Sequence, residues 1–534
     1  MKKMFGNVCS SQFLRNLCAV STPVTVQPVF FILIYVLLGG LDIFFDGGFP
    51  LLSPIQKIIF TFFITYILFI PVLFLPRYLK SVYKFIILLI SAIQFLVDIY
   101  LVILYGETFS TLHVDMVAAI GGTNSNEARE YLTTYLTVDK IFIILFVISI
   151  LSLLYYYLNR LRIEFNSFLR CFISLLVLIS VSVSVVQWRK MVLGNIYFLL
   201  RMDNKDLNEY RQNPVVVCSG DLPEYVVLLI GESFSKQQSS LYGYDKKTNP
   251  LLGKMNDEGR LVVYNNVKSA YTKTVPAVKS IMTSYVDEMT NVKWYECPTL
   301  IEIMQRAGYR AEWISNQSRE GLFDNEVTAF ALLCDKLVYA NEREGLSGYD
   351  ECLLHLIDES IADKSSPKFL VVNMQGSHVL YSSRYSEKFS IFNAEDYVLS
   401  HPHLSQKSRT TLSEYDNSIL YNDSVVYEIM QKFENEDAVL VYLSDHGQDI
   451  FNSSNDYAGH GIFANKESQA AAVNIPLMIY TSPLFKNKRP LLQERMEAAI
   501  DVAYRTDSIM YTIMDVVGVD SLNGVSYKKK SLIK

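Results

Sequence analysis

The stretch Leu228-Leu-Ile-Gly-Glu-Ser-Phe-Ser235, LLIGESFS, joins an oily run to a carboxylate and two hydroxyls. It approaches G-x-S-x-G, the sharp strand-to-helix turn that exposes a nucleophilic serine, but Ser235 occupies the place of the last glycine. Glu232 and Ser233 therefore both stand as candidates, with Ser233 and Ser235 expected to cap the helix that follows. The run before them, Tyr225–Ile230, is continuously apolar, as in a strand buried on both faces of a helix-covered parallel sheet. Phe369–Met374, Ala438–Leu443 and Ile475–Tyr480 repeat this texture, and Arg310–Ile314 and Lys336–Tyr339 repeat it more weakly. Helical stretches such as Cys297–Ala307 and Ser413–Phe433 alternate with them, which predicts an α/β sandwich from residue 221 to 534.

In open α/β sheets ligands collect beyond the carboxyl ends of the strands. Here those ends deliver metal-type side chains. VVLLIG leads to Glu232, FLVVNMQGSH to His378, and AVLVYLSDHG to the adjacent Asp445 and His446. His460 follows in YAGHG, so three of the seven histidines belong to this group. A mixed oxygen and nitrogen donor set suits zinc better than magnesium or calcium. A metal so placed can activate a hydroxyl and neutralise a phosphoryl oxygen. The candidate hydroxyls are Thr272 and Thr274 in SAYTKTVPAVKSIMTSY, where Pro276 stiffens the chain just after them.

The first part of the chain has a different texture. Half of all residues are apolar and mean hydropathy is positive. The excess is concentrated in Val29–Phe45, Ile55–Pro76, Val82–Tyr105, Ile141–Leu158 and Cys171–Val186. Each is close to the roughly 20 residues that cross a bilayer as a helix. Lys2, Lys3 and Arg15, then Arg77, Lys80 and Lys84, then Arg160, Arg162 and Arg170 occupy alternate connections. The loops Asp46–Pro54 and Glu107–Asp139 are poor in basic residues. The positive-inside pattern places the N-terminus in the cytoplasm and, after five crossings, everything beyond Gln187 outside. In a bacterium this is an inner-membrane protein with a periplasmic domain. Three regions follow: a five-helix transmembrane domain at 1–187, a linker helix at 188–220, and a catalytic domain at 221–534. The net charge of -6 and the lack of any basic tract exclude a nucleic-acid partner. Cys218, Cys297, Cys334 and Cys352 lie in the exported part, where two disulfides in any of three pairings are open.

Together, the five membrane runs, GESFS…YGY…TNP, YTKTVPAVKSIMT, GSH, YDNSILYNDSVV and LSDHG…GHG resemble the bacterial phosphoethanolamine transferases of the alkaline phosphatase and sulfatase superfamily. The likeness runs through nearly the whole chain. It implies an alkaline-phosphatase-like fold behind the membrane domain. It also implies a zinc enzyme moving phosphoethanolamine from phosphatidylethanolamine, through a phosphothreonine, to a cell-envelope glycolipid or glycan. Carried over by position, Glu232, Asp445, His446 and the nucleophile Thr274 would hold zinc, the spacing to SIMTSY favouring Thr274 over Thr272. His378 and His460 would bind the phosphoryl group or a second zinc. Thr123 and Glu127 in GGTNSNEAREYL, and Asn316 in WISNQ, would contact the ethanolamine headgroup. The lipid A branch carries cysteines where this chain has Ala270 and Ser280, and an asparagine where it has Ala119. WISNQ is more similar to the branch that acts on lipopolysaccharide core sugars.

Two other enzyme classes and one non-enzymatic class can be weighed on the same residues. A lipoteichoic-acid-type phosphoglycerol transferase would share the architecture and the threonine but prefer manganese and glycerol phosphate. Sulfatase chemistry needs C-x-P-x-R, and the exported CPTL at Cys297 has no arginine at that spacing. A non-catalytic scaffold or transporter has little support, because the membrane runs carry little charge beyond Asp42, Asp46 and Asp98.

Overall fold

The computed structural model describes residues 214–534, except 219–220, 286–293, 318–325, 341–347, 365–366, 456–457 and 461–465, together with scattered positions between 75 and 157. The chain divides into two compact units, Met1–Val117 with Leu132–Leu200, and Ala118–Tyr131 with Arg201–Lys534. Most of the five expected spans lie outside the described residues, as do Thr123 and Glu127. Among the described residues no helix is long and apolar enough to cross a membrane. In the first unit, the described positions from Ile141 to Tyr157 are helical and exposed, and they include Phe142, Phe146, Leu153 and Tyr157.

The second unit is built on a seven-stranded sheet. Its strands in chain order are β1 Tyr225–Gly231, β2 Leu261–Tyr264, β3 Arg310–Ser315, β4 Lys336–Tyr339, β5 Lys368–Asn373, β6 Ala438–Ser444 and β7 Leu477–Thr481. Their spatial order is β2-β7-β6-β1-β5-β3-β4. All residues of β1, β5, β6 and β7 are buried, as continuous apolar runs predict for strands covered on both faces. Each fully buried Val or Leu there contributes about 1.5–3 kcal/mol from removed apolar surface.

The parallel arrangement expected from these buried runs holds for β1 with β5 and β6 and for β3 with β4 and β5, and one strand departs from it. β7 pairs antiparallel with both β2 and β6. A strand buried on both faces looks alike in either direction, so its hydrophobic pattern carries no orientation. The strand also begins at Leu477, not Ile475, since Pro476 lacks the N–H that ladder pairing requires.

Five helices matter for the site: α1 Pro250–Asp257, α2 Thr274–Met282, α3 Leu300–Arg306, α4 Cys352–Ala362 and α5 Gln406–Lys432. α3 starts at a capping box. Thr299 accepts from the Glu302 N–H, and the Glu302 carboxylate accepts from the Thr299 N–H. α1 has no such side chain at Asn249, and its first free N–H groups are served from elsewhere. The buried Asp423 of α5 accepts from Leu251 N at 2.9 Å and Leu252 N at 3.0 Å. α5 is 27 residues long and buries an unusual polar row, Tyr415, Asp416, Asn417, Ser418, Asn422 and Asp423. Asn422 accepts from the Tyr442 hydroxyl of β6 and the others bond loops or helices, so α5 works as an internal frame.

The two disulfides that the even number of exported cysteines left open are not formed. Cys218, Cys297, Cys334 and Cys352 are all free thiols. They sit at separate places in the fold: an edge strand, the approach to α3, the turn before β4 and the start of α4. The Cys352 thiol instead donates to Asn316 Oδ1 at 3.2 Å.

A fully buried ion pair supplies the first prediction. Lys368 and Glu312 both have 0 % side-chain exposure and lie 3.7 Å apart, with the Ser360 hydroxyl donating to Glu312 at 2.8 Å. Lys368 also lies 3.6 Å from Asp363, and Glu312 also meets Arg310 and Lys336, so Glu312→Ala removes the shared carboxylate from three cations and is expected to lower stability by about 3 kcal/mol. The double change Glu312→Leu with Lys368→Met should recover most of that loss. Denaturant midpoints of the three variants check this, and an unchanged midpoint for Glu312→Ala would refute it.

Candidate metal centre

Register brings the first two candidates together. In the parallel pair β1–β6, Gly231 faces Ser444, so the next residues, Glu232 and Asp445, leave the sheet side by side. The ladder extends one step further through Asp445 N donating to Gly231 O at 2.9 Å. His446 follows, and its Nε2 lies 3.4 Å from Glu232 Oε1 and 3.4 Å from Asp445 Oδ2. Donor atoms of these three buried residues all fall within 4.8 Å of one another. His446 Nδ1 is 3.0 Å from the Gly447 carbonyl, which leaves the Nε2 lone pair facing the carboxylates when Nδ1 carries the proton.

The connection after β1 is strained. Ser233 has φ 61, a left-handed conformation that a non-glycine residue holds only when its surroundings impose it. The expected capping roles of Ser233 and Ser235 are not realised. Ser235 makes no capping bond to the short 3-10 helix Lys236–Gln238, and its hydroxyl instead donates to Gln237 Oε1. The Ser233 hydroxyl donates to Glu232 Oε1 at 2.6 Å, and Ser233 N donates to Asp445 Oδ1 at 3.2 Å. Tyr415 of α5 holds the loop from both sides, donating to Ser233 O at 2.7 Å and accepting from Ser235 N at 2.8 Å.

Thr274 is the first residue of α2. Its Oγ1 stands 3.3 Å from Glu232 Oε2 and 3.2 Å from His446 Nε2. The helix N-terminus places positive partial charge at this hydroxyl and favours an anionic group there. Among the described residues Thr274 is the threonine hydroxyl bonded to this cluster, and no such contact is described for Thr272.

His460 and His378 complete the histidine group. The His460 ring centroid is 4.0 Å from that of His446, and its Nδ1 lies 2.9 Å from Gln448 Oε1. His378 leaves the turn after β5. Loss of hydration on burial pushes its pKa down to about 3, with Arg384 and His446 adding to the effect. The same burial, with His446 beside it, holds His460 well below the usual histidine range. Both rings are therefore neutral at pH 7 and offer a lone pair as well as an N–H.

Asn316 is placed differently from an open pocket residue. Its amide donates to Asp350 Oδ1 at 2.9 Å and to Gly348 O at 3.3 Å, and its oxygen accepts from Cys352. Its neighbour Gln317, which sequence reasoning did not single out, is the residue that touches the cluster. Gln317 Nε2 lies 3.4 Å from Glu232 Oε2 and 2.9 Å from Met374 O. Gln317 lies two residues beyond the end of β3, one further than Glu232 and Asp445 lie from theirs, and a neutral amide carries no metal-ligand pattern.

Whether a cation fits is decided by the buried oxygens. Burial raises Glu232 to about 8, with Asp445 adding to the shift, and burial raises Asp445 to about 6. Asp445 Oδ2 is buried with no hydrogen-bond partner in the protein. An oxygen left in that state costs about 1–3 kcal/mol, more for a charged group, unless something occupies its open side. Two carboxylates, one imidazole lone pair and a hydroxyl, all converging, fit a divalent cation.

The sulfatase family model matches residues 224–519, more than half of the chain. Phosphoethanolamine transferase EptC of Escherichia coli K12 is 27% identical over 490 residues, covering 84% of this chain and 82% of that protein. The crystal structure of the C-terminal periplasmic domain of that species' EptC, in complex with Zn, aligns with a TM-score of 0.54 at 28% identity, over 60% of this chain and 89% of its own. The integral membrane protein lipooligosaccharide phosphoethanolamine transferase A of Neisseria meningitidis matches in fold over 98% of both chains, with a TM-score of 0.58 at 19% identity. The chain belongs to the sulfatase family, with an alkaline-phosphatase-like domain at its C-terminal end.

Proposed function

We propose that this chain transfers phosphoethanolamine from phosphatidylethanolamine to a cell-envelope acceptor, a glycolipid or glycan of the lipopolysaccharide core or lipid A type, by way of a phosphothreonine. The observation that carries this reading is Thr274 Oγ1 at 3.2 Å from His446 Nε2 and 3.3 Å from Glu232 Oε2, beside the buried Asp445 Oδ2 that no hydrogen bond in the protein satisfies. Zinc would be held by Glu232, Asp445, His446 and Thr274, where it would supply Lewis-acid stabilisation of phosphoryl charge.

The chemistry falls to side chains of this chain. The Thr274 oxygen attacks phosphorus as its proton leaves toward the Glu232 side of the cluster, and the bond from phosphorus to the diacylglycerol oxygen breaks. That oxygen takes a proton and departs as diacylglycerol. A hydroxyl or phosphate oxygen of the acceptor then attacks the phosphothreonine, and the Thr274 hydroxyl is regenerated. The positive end of α2 favours the anionic phosphoryl group on Thr274. His378 and His460, neutral at pH 7, would donate N–H bonds to its oxygens or hold a second zinc. Thr123 and Glu127 are proposed for the ethanolamine headgroup, where a carboxylate suits an ammonium; Asn316, expected beside them, is buried with its amide engaged by Asp350, Gly348 and Cys352 and belongs to the frame behind the site.

The membrane arrangement belongs to the same reading. Residues 1–187 would span the inner membrane five times, 188–220 would form the linker, and 221–534 would lie in the periplasm. It is supported by the Lys/Arg placement and by the exposed apolar helical positions between Ile141 and Tyr157.

The full chain should release diacylglycerol from vesicles containing phosphatidylethanolamine and not from vesicles of phosphatidylglycerol. Mass spectrometry of core oligosaccharide and lipid A, with and without the gene, should show one added phosphoethanolamine on one of them. Turnover of phosphatidylglycerol alone would replace this function with phosphoglycerol transfer.

A further inference from the structure

The turn from Met374 to His378 is the least self-sufficient part of the site. It makes no regular structure, yet it backs Glu232 and delivers His378. Met374 N donates to Ile230 O at 2.9 Å and Ser377 N donates to Glu232 O at 2.9 Å. Gly376 has φ +53 and lies so close to the Glu232 peptide that an added Cβ would sit 2.6 Å from Glu232 O and 2.8 Å from Glu232 N. Any displacement of this turn is therefore passed directly to Glu232.

What fixes the turn is a carboxylate that the proposed chemistry does not use. Asp350 is 4 % exposed, just before α4. Its Oδ1 accepts from Gln375 N at 2.9 Å and its Oδ2 accepts from Gly376 N at 2.8 Å. Two consecutive backbone N–H groups are thus held by the two oxygens of one carboxylate, a charge-assisted fork with defined direction. Asn316 completes the arrangement. Its amide donates to Asp350 Oδ1 while its oxygen accepts from Cys352, which ties the end of β3, the start of α4 and the end of β5 into one unit. The backbone beside Asp350 is pinned as well, since Glu351 N donates to the Tyr421 hydroxyl of α5 at 3.0 Å. On the far side of the turn, Ser418 donates to the Ser377 hydroxyl at 2.9 Å, and Arg384 donates to the carbonyls of His378 and Val379.

We infer that Asp350 is a positioning residue for this site, acting through the 374–378 turn to set Glu232 and His378 in their places. A carboxylate is needed because both partners are donors. An asparagine of the same shape presents one N–H toward a backbone N–H and must break one of the two bonds. Outer groups that orient ligands change metal affinity or activity by about 10–100-fold when altered, and that is the range expected here.

This inference rests on the proposed function for one of its two readouts only. The first is kinetic. In the full chain purified with lipid, Asp350→Asn should lower kcat for phosphoethanolamine transfer about 10–100-fold while KM stays within about threefold. The second is zinc affinity by competitive chelator titration, where Asp350→Asn should bind about tenfold more weakly. Ser377→Ala, which removes the other anchor of the same turn, should lower kcat in the same direction without raising KM, and it serves where Asp350→Asn does not accumulate folded. A merely structural Asp350 would lower the melting temperature yet leave kcat and zinc affinity per folded molecule unchanged, and that result overturns the inference. A wild type that binds zinc but transfers nothing from either lipid overturns the function, while the titration still decides the role of Asp350. A wild type that does neither overturns both.

Discussion

Thr274→Ala is expected to abolish transfer, with a loss on the order of 10⁴-fold or more, because removing a nucleophile leaves only binding and electrostatic assistance. The hydroxyl stands at the positive end of a nine-residue helix, with Glu232 Oε2 and His446 Nε2 both in reach. Thr274→Ser keeps the oxygen and should keep part of the rate. Thr272→Ala should keep nearly all of it, since Thr272 has no described bond to the cluster. Peptide mass spectrometry after quenching a reaction with phosphatidylethanolamine should find one phosphoethanolamine on the peptide that contains Thr274. Normal turnover by Thr274→Ala, or the adduct on another residue, would remove this threonine from its assigned role.

The second large effect concerns Asp445. Asp445→Asn keeps the Oδ1 that accepts from His446 N and Ser233 N, so the local backbone should survive. What it loses is the charge on a carboxylate whose buried Oδ2 has no hydrogen bond in the protein and lies 3.4 Å from His446 Nε2. In wild type, zinc at 1,000 times its dissociation constant is expected to raise stability by about 4 kcal/mol, because it binds the folded state alone. In Asp445→Asn that gain should fall close to zero. After chelation the variant should melt no lower than wild type, since an amide tolerates burial better than an ionised oxygen. Calorimetric melts with zinc and with chelator check both statements. An equal zinc response in the two proteins would exclude Asp445 from the metal centre.

Several parts of this site are legible in the residues themselves. Tyr225–Ile230 and Ala438–Leu443 announce buried strands by continuous hydrophobicity, and both form within a residue of the expected ends. A lone Asp or His after a strand is usually a cap or a satisfied polar group, and Glu232, His378 and the Asp445–His446 pair stand out because they occur together at three strand ends. Other parts leave no local trace. β7 reads as a strand, but nothing in Leu477–Thr481 shows that it runs against its neighbours. Ser233 and Ser235 have the composition of helix caps, yet Tyr415 and Asp445 engage their loop instead. Gln317 and Asp350 look like ordinary polar residues, and only their partners give them a place in the site. The four cysteines satisfy a parity rule but sit in separate parts of the fold.

The sequence by itself determined the strands, the donor types at their ends and the presence of threonine hydroxyls, because hydrophobic period and side-chain chemistry are local properties. Only the tertiary structure decided which of these groups meet. Thr274 and Glu232 are 42 residues apart in the chain, and Ser233 and Asp445 are 212 apart. Their separation in space is set by the pairing of Gly231 with Ser444, by α5 pressing on the loop after β1, and by Asp350 holding the turn after β5. A single-residue slip in that pairing would turn Asp445 to the opposite face of the sheet and leave Glu232 without its neighbour.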